Sequence, residues 1–378
     1  MKNEFLLRND ITFLNHGSFG ACPKKVFEKY QQYQKDFESQ PVEYFARKSA
    51  NMIEKARKDL AEYIGTEKEN LVFVKNATTA VNIFAKSINL KIGDEVLASN
   101  HEYGALNRMW EIMSKDKGFT YKKSTVKLPV SDKKTFINDF ISDISEKTKV
   151  IFLSHISAPS AIIFPIEEIC EYAKSKNIIT IIDGAHAPGQ IPLYLDKLQA
   201  DFYTGNCHKW LLAPKGAAFM FAKPEMQKIL KPLIISWGEL GEQKTDSAFV
   251  SEFQSQATFD FSAYLAVSDS INFLKENNWD NVIKRNKELL IYAKEKLSEL
   301  IKTEPIITNN DFLGLMYAHQ LPENIDALKL KTDLWEKYKI EIPVTFNEKM
   351  KFIRISIQIY NDKKDIDFLI KSISELIN

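Results

Sequence analysis

Between residues 71 and 222 the chain alternates short, almost wholly apolar runs with segments of helical period, and no other feature constrains its fold so strongly. The runs are LVFV (71–74), EVLAS (95–99), KVIFLS (149–154), IITIID (178–183), DFYTG (201–205) and AAFMFA (217–222). Runs that are apolar at successive positions suit strands covered on both faces, and strands separated by helices pair in parallel. Ser49 to Ile64 places Ile53, Ala56, Leu60 and Ile64 on one helical face, and Pro165 opens another helix at the first-turn position that proline tolerates. The fold class is therefore α/β, a mostly parallel sheet wrapped by helices.

After about residue 260 the pattern changes to two long helical stretches, 261–276 and 279–302, with short strands near 313–318 and 351–357. A last helix is striped by Ile366, Leu369, Ile370, Ile373 and Ile377, with Asn361 or Asp362 available as its cap. This divides the chain into an N-terminal segment and large domain over 1–260 and a smaller C-terminal α+β domain over 261–378.

Composition narrows the class of partner. Fifty-one basic residues against fifty acidic ones leave a formal charge of +1 over 378 residues, so there is no long-range field suited to a nucleic-acid backbone or an anionic membrane. The first residues, MKNEFLLRND, lack the apolar core of a secretory signal, and no run approaches the ~18 apolar residues of a membrane span. A cytoplasmic location is the expectation. The cysteines, Cys22, Cys170 and Cys207, are odd in number and lack the CxxC spacing of a structural metal site, which predicts free thiols and no metal.

In an open α/β sheet, ligands bind beyond the carboxyl ends of the strands. Here VFVK runs into NATTAVN, KVIFLS into HISAPS, IITIID into GAHAPG, and DFYTG into NCHKW; five of the six histidines (His16, His101, His155, His186, His208) fall in such turns, and only His319 does not. Asp183 closes an apolar strand, where its carboxylate either caps the next segment or neutralises a cation such as a protonated ring nitrogen. Lys209, between His208 and Trp210, is either a surface lysine or an amine whose desolvation keeps it neutral and nucleophilic. An aspartate for a pyridinium nitrogen and a lysine for a Schiff base are what a pyridoxal phosphate enzyme needs from its protein. Thr78 and Thr79 stand where a helix begins after a strand, a place whose free N–H groups suit a phosphate.

With these residues in view, the chain resembles the class V aminotransferases, a family of fold-type I pyridoxal phosphate enzymes. Its nearest likeness is to the branch with isopenicillin N epimerase and hercynylcysteine sulfoxide lyase-like proteins. The segments that carry it are FLNHGSFGACP, PVEYFAR, LVFVKNATTAVN, HEYGA, SHISAPSAIIFPI, DGAHAPGQIPL, ADFYTGNCHKWLLAPKG, PLIISWG and RISIQIYN. The resemblance implies pyridoxal 5'-phosphate as cofactor, bound through Lys209, with Asp183 at the pyridine nitrogen and His186 at the phenolic oxygen. Tyr103 would stack on the ring, and Thr78, Thr79, Asn206 and His208 would hold the phosphate, with Thr258 reaching it across a homodimer interface. Arg354 would bind the substrate α-carboxylate, and His16 is placed with it at the substrate.

Those residues are common to several reactions at the amino-acid Cα. Elimination of a β-substituent is the first expectation, epimerisation the second, transamination the third and a cofactor-binding protein without turnover the last. A desulfurase that uses a cysteine shortly before the C-terminal arginine is disfavoured, because no cysteine follows Cys207. The epimerase branch usually reads Gly-Thr-Arg-Asp where this chain has Ala257-Thr258-Phe259-Asp260, so a substrate with a distal carboxylate loses a contact.

Overall fold

The apolar runs become the strands of one central sheet. The computed structural model describes residues 1–240, 245, 247–254, 256–347 and 350–377. Among these, seven strands form that sheet: β1 (Leu71–Val74), β2 (Glu95–Ser99), β3 (Thr120–Ser124), β4 (Thr148–Ser154), β5 (Ile179–Asp183), β6 (Phe202–Asn206) and β7 (Ala218–Ala222). Their spatial order is β1-β7-β6-β5-β4-β2-β3. Only β7 runs antiparallel to its neighbours; the remaining pairs are parallel.

The strand period of two sorts their side chains into two cores. Leu71, Phe73, Ile151, Leu153, Tyr203 and Phe219 join one. Val72, Val74, Val150, Phe152, Phe202 and Met220 join the other, beneath helix Ala77–Ser87 and helix Gly104–Lys117. Both faces are thus covered, as continuous apolar runs require. Strand β3, TYKKS, was not foreseen. It is one of the two edge strands, mostly uncovered, and its lysines suit a sheet edge that must not pair further.

Helix Ser49–Ile64 buries Ile53, Ala56, Leu60 and Ile64 as expected. Pro165 stands one place earlier than foreseen, in the cap position before helix Ile166–Ser175. Helices Ser262–Glu276 and Trp279–Ile301 match the two long helical stretches. Beyond them, β8 (Met316–Gln320), β9 (Val344–Asn347) and β10 (Met350–Ser356) form an antiparallel sheet in the order β9-β10-β8. Helix Ala327–Tyr338, also unforeseen, is capped by the Asp326 carboxylate, which accepts from the Leu328 and Lys329 N–H groups. The last helix, Lys363–Ile377, is capped by Asp362 rather than Asn361. The two-residue strand Thr12–Phe13 pairs in parallel with Ile340–Glu341, so the start of the chain is hydrogen-bonded to its C-terminal part.

Ala257 adopts φ 68°, a left-handed conformation that costs an L-residue with a Cβ. It is exposed, so a side-chain loss there removes little packing. Ala257→Gly should therefore raise the unfolding free energy by roughly 1 kcal/mol, read from the urea midpoint at unchanged m-value.

Candidate active site

The carboxyl ends of the parallel strands open into one cleft of about 880 Å³, closed on its far side by β9 and Arg354 of β10. Its lining gathers Asn76, Ala77 and Thr78 after β1, Tyr103 after β2, Ser154 at the end of β4, Asp183 and His186 from β5, and Asn206, His208 and Lys209 from β6. Seven of the ten residues nominated from the sequence besides Lys209 therefore meet Lys209 in one cavity: Asp183, His186, Tyr103, Thr78, Asn206, His208 and Arg354.

Lys209 lies in a turn whose backbone is pinned. The Leu212 N–H donates to the Lys209 carbonyl and the Ala213 N–H to that of Cys207. Buried Leu212 takes φ 66°, a strained state held by packing around it. Gly189, with φ 84°, lies against the same turn, where a Cβ would stand 2.3 Å from the Trp210 carbonyl oxygen. Only glycine fits there.

Hydrogen bonding fixes the state of the amine. The Trp210 indole, a donor only, points its Nε1–H at His186 Nδ1 at 3.4 Å. Burial holds the imidazole well below its usual pKa, hence neutral, so its proton sits on Nε2. That atom is 3.2 Å from Lys209 Nζ, which must accept through its lone pair. Burial first, and Arg354 second, lower the amine to about 8, while Asp183 opposes them. The hydrogen bond calls for the neutral amine, and a value near 8 makes that nucleophilic form accessible slightly above neutral pH.

Asp183 is buried, and its carboxyl is raised above the usual range by desolvation, against the Ala185 N–H bond at 3.0 Å and the Lys209 charge. A desolvated carboxyl of this kind is receptive to a cationic partner. Arg354 presents the complementary case. Its guanidinium is buried and pushed down to about 10 by desolvation; Nη1 donates to the Ala158 carbonyl and Nη2 to Ser18 Oγ, while Nε has no partner among the described residues. A buried guanidinium without a carboxylate is poised for an acidic ligand.

At the start of helix Ala77–Ser87 the nominated pair divides. Thr79 turns inward, its N–H and hydroxyl both donating to the Asn76 cap, whereas Thr78 lines the cleft. Asn206 Oδ1 accepts from the Ala77 N–H and so ties β6 to that helix start. His208 donates Nδ1–H to the Ala217 carbonyl at 2.9 Å, leaving Nε2 free toward the cleft. Two further residues are not brought in. His16 lies behind the lysine turn, bonded to the Lys209 carbonyl and Tyr360. Thr258 is exposed beside a separate cavity of about 660 Å³ with Phe259 and Trp237.

Glu102, within the segment HEYGA, is a further cleft residue that was not foreseen. Its carboxylate lines the cleft, accepts from Ser99 Oγ and from the Ser154 N–H and hydroxyl, and is pushed up to about 7 by burial. Glutamate three residues after the end of an apolar strand was the available signal. None of the three cysteines lines the cleft; burial pushes Cys22 and Cys170 up to about 12 and Cys207 higher.

The model of the aminotransferase class V family matches residues 13–369. The chain belongs to this family. It is 30% identical to the isopenicillin N epimerase of Amycolatopsis lactamdurans, over 97% of this chain and 95% of that protein. It is 24% identical to the hercynylcysteine sulfoxide lyase of Schizosaccharomyces pombe (strain 972 / ATCC 24843), over 99% and 96%. The fold matches that of the cystine C-S lyase C-DES, solved with its product cysteine persulfide, at a TM-score of 0.83 and 19% identity, covering 97% of this chain and 98% of that one. The family's cofactor, pyridoxal phosphate, suits the residues present: an amine whose pKa is lowered by desolvation, a carboxyl raised by burial, and a helix start facing the same cavity.

The amine's low pKa sets a pH dependence. Lysine with a folded value of about 8 against an ordinary 10.5 is neutral above that value and protonated below it. The rate at which cofactor-free protein takes up pyridoxal phosphate, followed by visible absorption, should rise with pH through about 8 and then level. A lysine of ordinary acidity would keep the rate rising to well beyond pH 9.

Proposed function

We propose that this protein acts at the Cα of an amino acid and eliminates its β-substituent, most simply the sulfur group of a cysteine-derived substrate. The observation that carries the reading is the pairing, in one cleft, of an amine at Lys209 whose pKa is lowered to about 8 with a buried guanidinium at Arg354 that has no carboxylate partner among the described residues.

Bound in the cleft, pyridoxal phosphate supplies a sink for the negative charge that develops at Cα. The protein's part is then definable group by group. Arg354 takes the α-carboxylate and fixes the substrate's orientation. Lys209 Nζ, once free, accepts the Cα proton, and the β-substituent departs with the electrons of its bond. Asp183 keeps the proton on the pyridine nitrogen, and a positive charge there relieves its own desolvation. His186 Nε2–H serves the phenolic oxygen, while Tyr103 covers the ring. Thr78, the helix N-terminus and His208 receive the phosphate, with Thr79 and Asn206 shaping that cradle from behind.

Thr258 completes the phosphate site from the second subunit of a homodimer. Support comes from its exposure and from the exposed Ile235, Trp237 and Leu240 nearby in sequence, since such apolar groups favour a protein partner. We place the enzyme in the cytoplasm; among the described residues no helix is long and apolar enough to cross a membrane.

The name of the Schizosaccharomyces pombe relative supports elimination, and since none of the three cysteines lines the cleft, a desulfurase route through a persulfide on an enzyme cysteine is disfavoured. Epimerisation is the second reading, favoured by the 30% identity to isopenicillin N epimerase. Phe259 packs against Phe261 and Tyr264 where that branch usually has arginine, which argues for a different substrate.

S-substituted cysteines incubated with the loaded enzyme in D2O should yield keto acid and ammonia together. Cα exchange without release would instead establish the epimerase reading, and keto acid formed only with an added acceptor would establish transamination. Arg354→Gln should raise KM by about a hundredfold or more, because it leaves the α-carboxylate unpaired in a desolvated site.

A further inference from the structure

The segment Asn15–Gly20 touches both of the groups on which the proposed function depends. Ser18 Oγ accepts from Arg354 Nη2 at 3.2 Å, and its own proton goes to Asn15 Oδ1. Asn15 Nδ2 in turn donates to Glu341 Oε1 at 3.1 Å. The hydroxyl therefore cannot rotate freely, and its lone pair is held toward the guanidinium. The start of the segment is fixed to the strand that carries Arg354, because the Ser356 N–H donates to the Leu14 carbonyl and Asn15 bridges Ser356.

The other end grips the lysine turn. A carbonyl only accepts, so His16 Nε2 carries the proton in its 3.0 Å bond to the Lys209 oxygen, and Nδ1 accepts from the Tyr360 hydroxyl at 2.9 Å. Both ring nitrogens are thereby committed, and the imidazole is fully buried against Trp210. Gly20, at φ 70°, lies so close that a Cβ would stand 2.2 Å from the His208 oxygen and 3.0 Å from Lys209 Cα. Lys215 Nζ closes the contact by donating to the Gly20 carbonyl at 3.0 Å.

We propose that Ser18 and His16 are positioning residues, which set the carboxylate receptor Arg354 and the amine Lys209 at a fixed spacing by tying both to one short segment. Neither touches the reacting atoms. Ser18 orients the guanidinium, and His16 holds the backbone from which the amine projects. Because each works through one partner, their removal affects different steps. The inference rests on the reading of Lys209 and Arg354 given above.

Two small nucleophiles that strip a carbonyl cofactor from a lysine separate those steps. Aminooxyacetate carries a carboxylate and hydroxylamine does not, so the ratio of the rates at which they bleach the loaded enzyme reports Arg354 alone. Wild-type enzyme should prefer aminooxyacetate. Ser18→Ala should lower that preference about tenfold, the effect of losing one hydrogen bond to a charged group, with the hydroxylamine rate within about twofold of wild type. His16→Ala should slow both reagents by about fivefold at an unchanged ratio, and His16→Gln, whose amide can reach the same carbonyl, should recover most of the loss. Ser18→Thr keeps the hydroxyl and should retain the preference. If Ser18→Ala slows both reagents equally or neither, or if His16→Ala leaves both rates at wild-type values, the positioning roles are overturned. Loaded wild-type enzyme with no preference for aminooxyacetate would contradict the role of Arg354 itself, and the present inference with it.

Discussion

The site depends on the desolvation of one amine. Lys209 is half-buried and makes no ion pair among the described residues; the hydrogen bond from His186 requires its lone pair, and the tautomer of His186 is dictated by Trp210. An indole N–H can only donate, so the order of donors runs one way, from Trp210 through His186 to the amine. Burying a cationic lysine here would cost both its hydration and this hydrogen-bond order. The lowered pKa of the amine is thus a consequence of packing, and it makes covalent chemistry with a carbonyl group accessible near neutral pH.

The sheet explains why the other groups arrive at the same place. Parallel strands bring their carboxyl ends to a common rim, and the loops after β1, β2, β4, β5 and β6 each contribute to one cleft. Large opposing tendencies meet there. The raised carboxyl of Asp183 and the lowered guanidinium of Arg354 are both penalised by burial, and each is relieved by a ligand of opposite charge. A molecule with a cationic ring nitrogen and an amino acid with a carboxylate satisfy them together. Contacts from the first twenty residues then bind the two halves of the cleft into one unit.

Much of this was legible in the chain, and the misses have physical causes. Strands buried on both faces stand out as apolar runs, β1 among them although it too lies at an edge, whereas β3 is mostly uncovered and could remain polar. Helix Ala327–Tyr338 buries just Ala327, Leu330 and Leu334, too narrow a stripe to stand out from its charged neighbours. Lys209, Asp183 and His186 could be read because position at a strand end predicts exposure to the rim. That rule says nothing about which side of a turn a residue occupies, so His16 was assigned to the substrate although it lies behind the lysine. Ser18 went unnoticed in the same quoted segment because its partner, Arg354, is 336 positions away. Thr79 looked equivalent to Thr78, but the first turn of a helix sends one hydroxyl to the cap and leaves the other at the cavity.

The most direct test of the account is the site of covalent attachment. Protein loaded with pyridoxal phosphate and reduced with borohydride can be digested and its peptides sequenced by mass spectrometry. The account predicts a single stoichiometric adduct on Lys209, within residues 204–216. An adduct on another lysine, or folded protein that takes up no label, would contradict it.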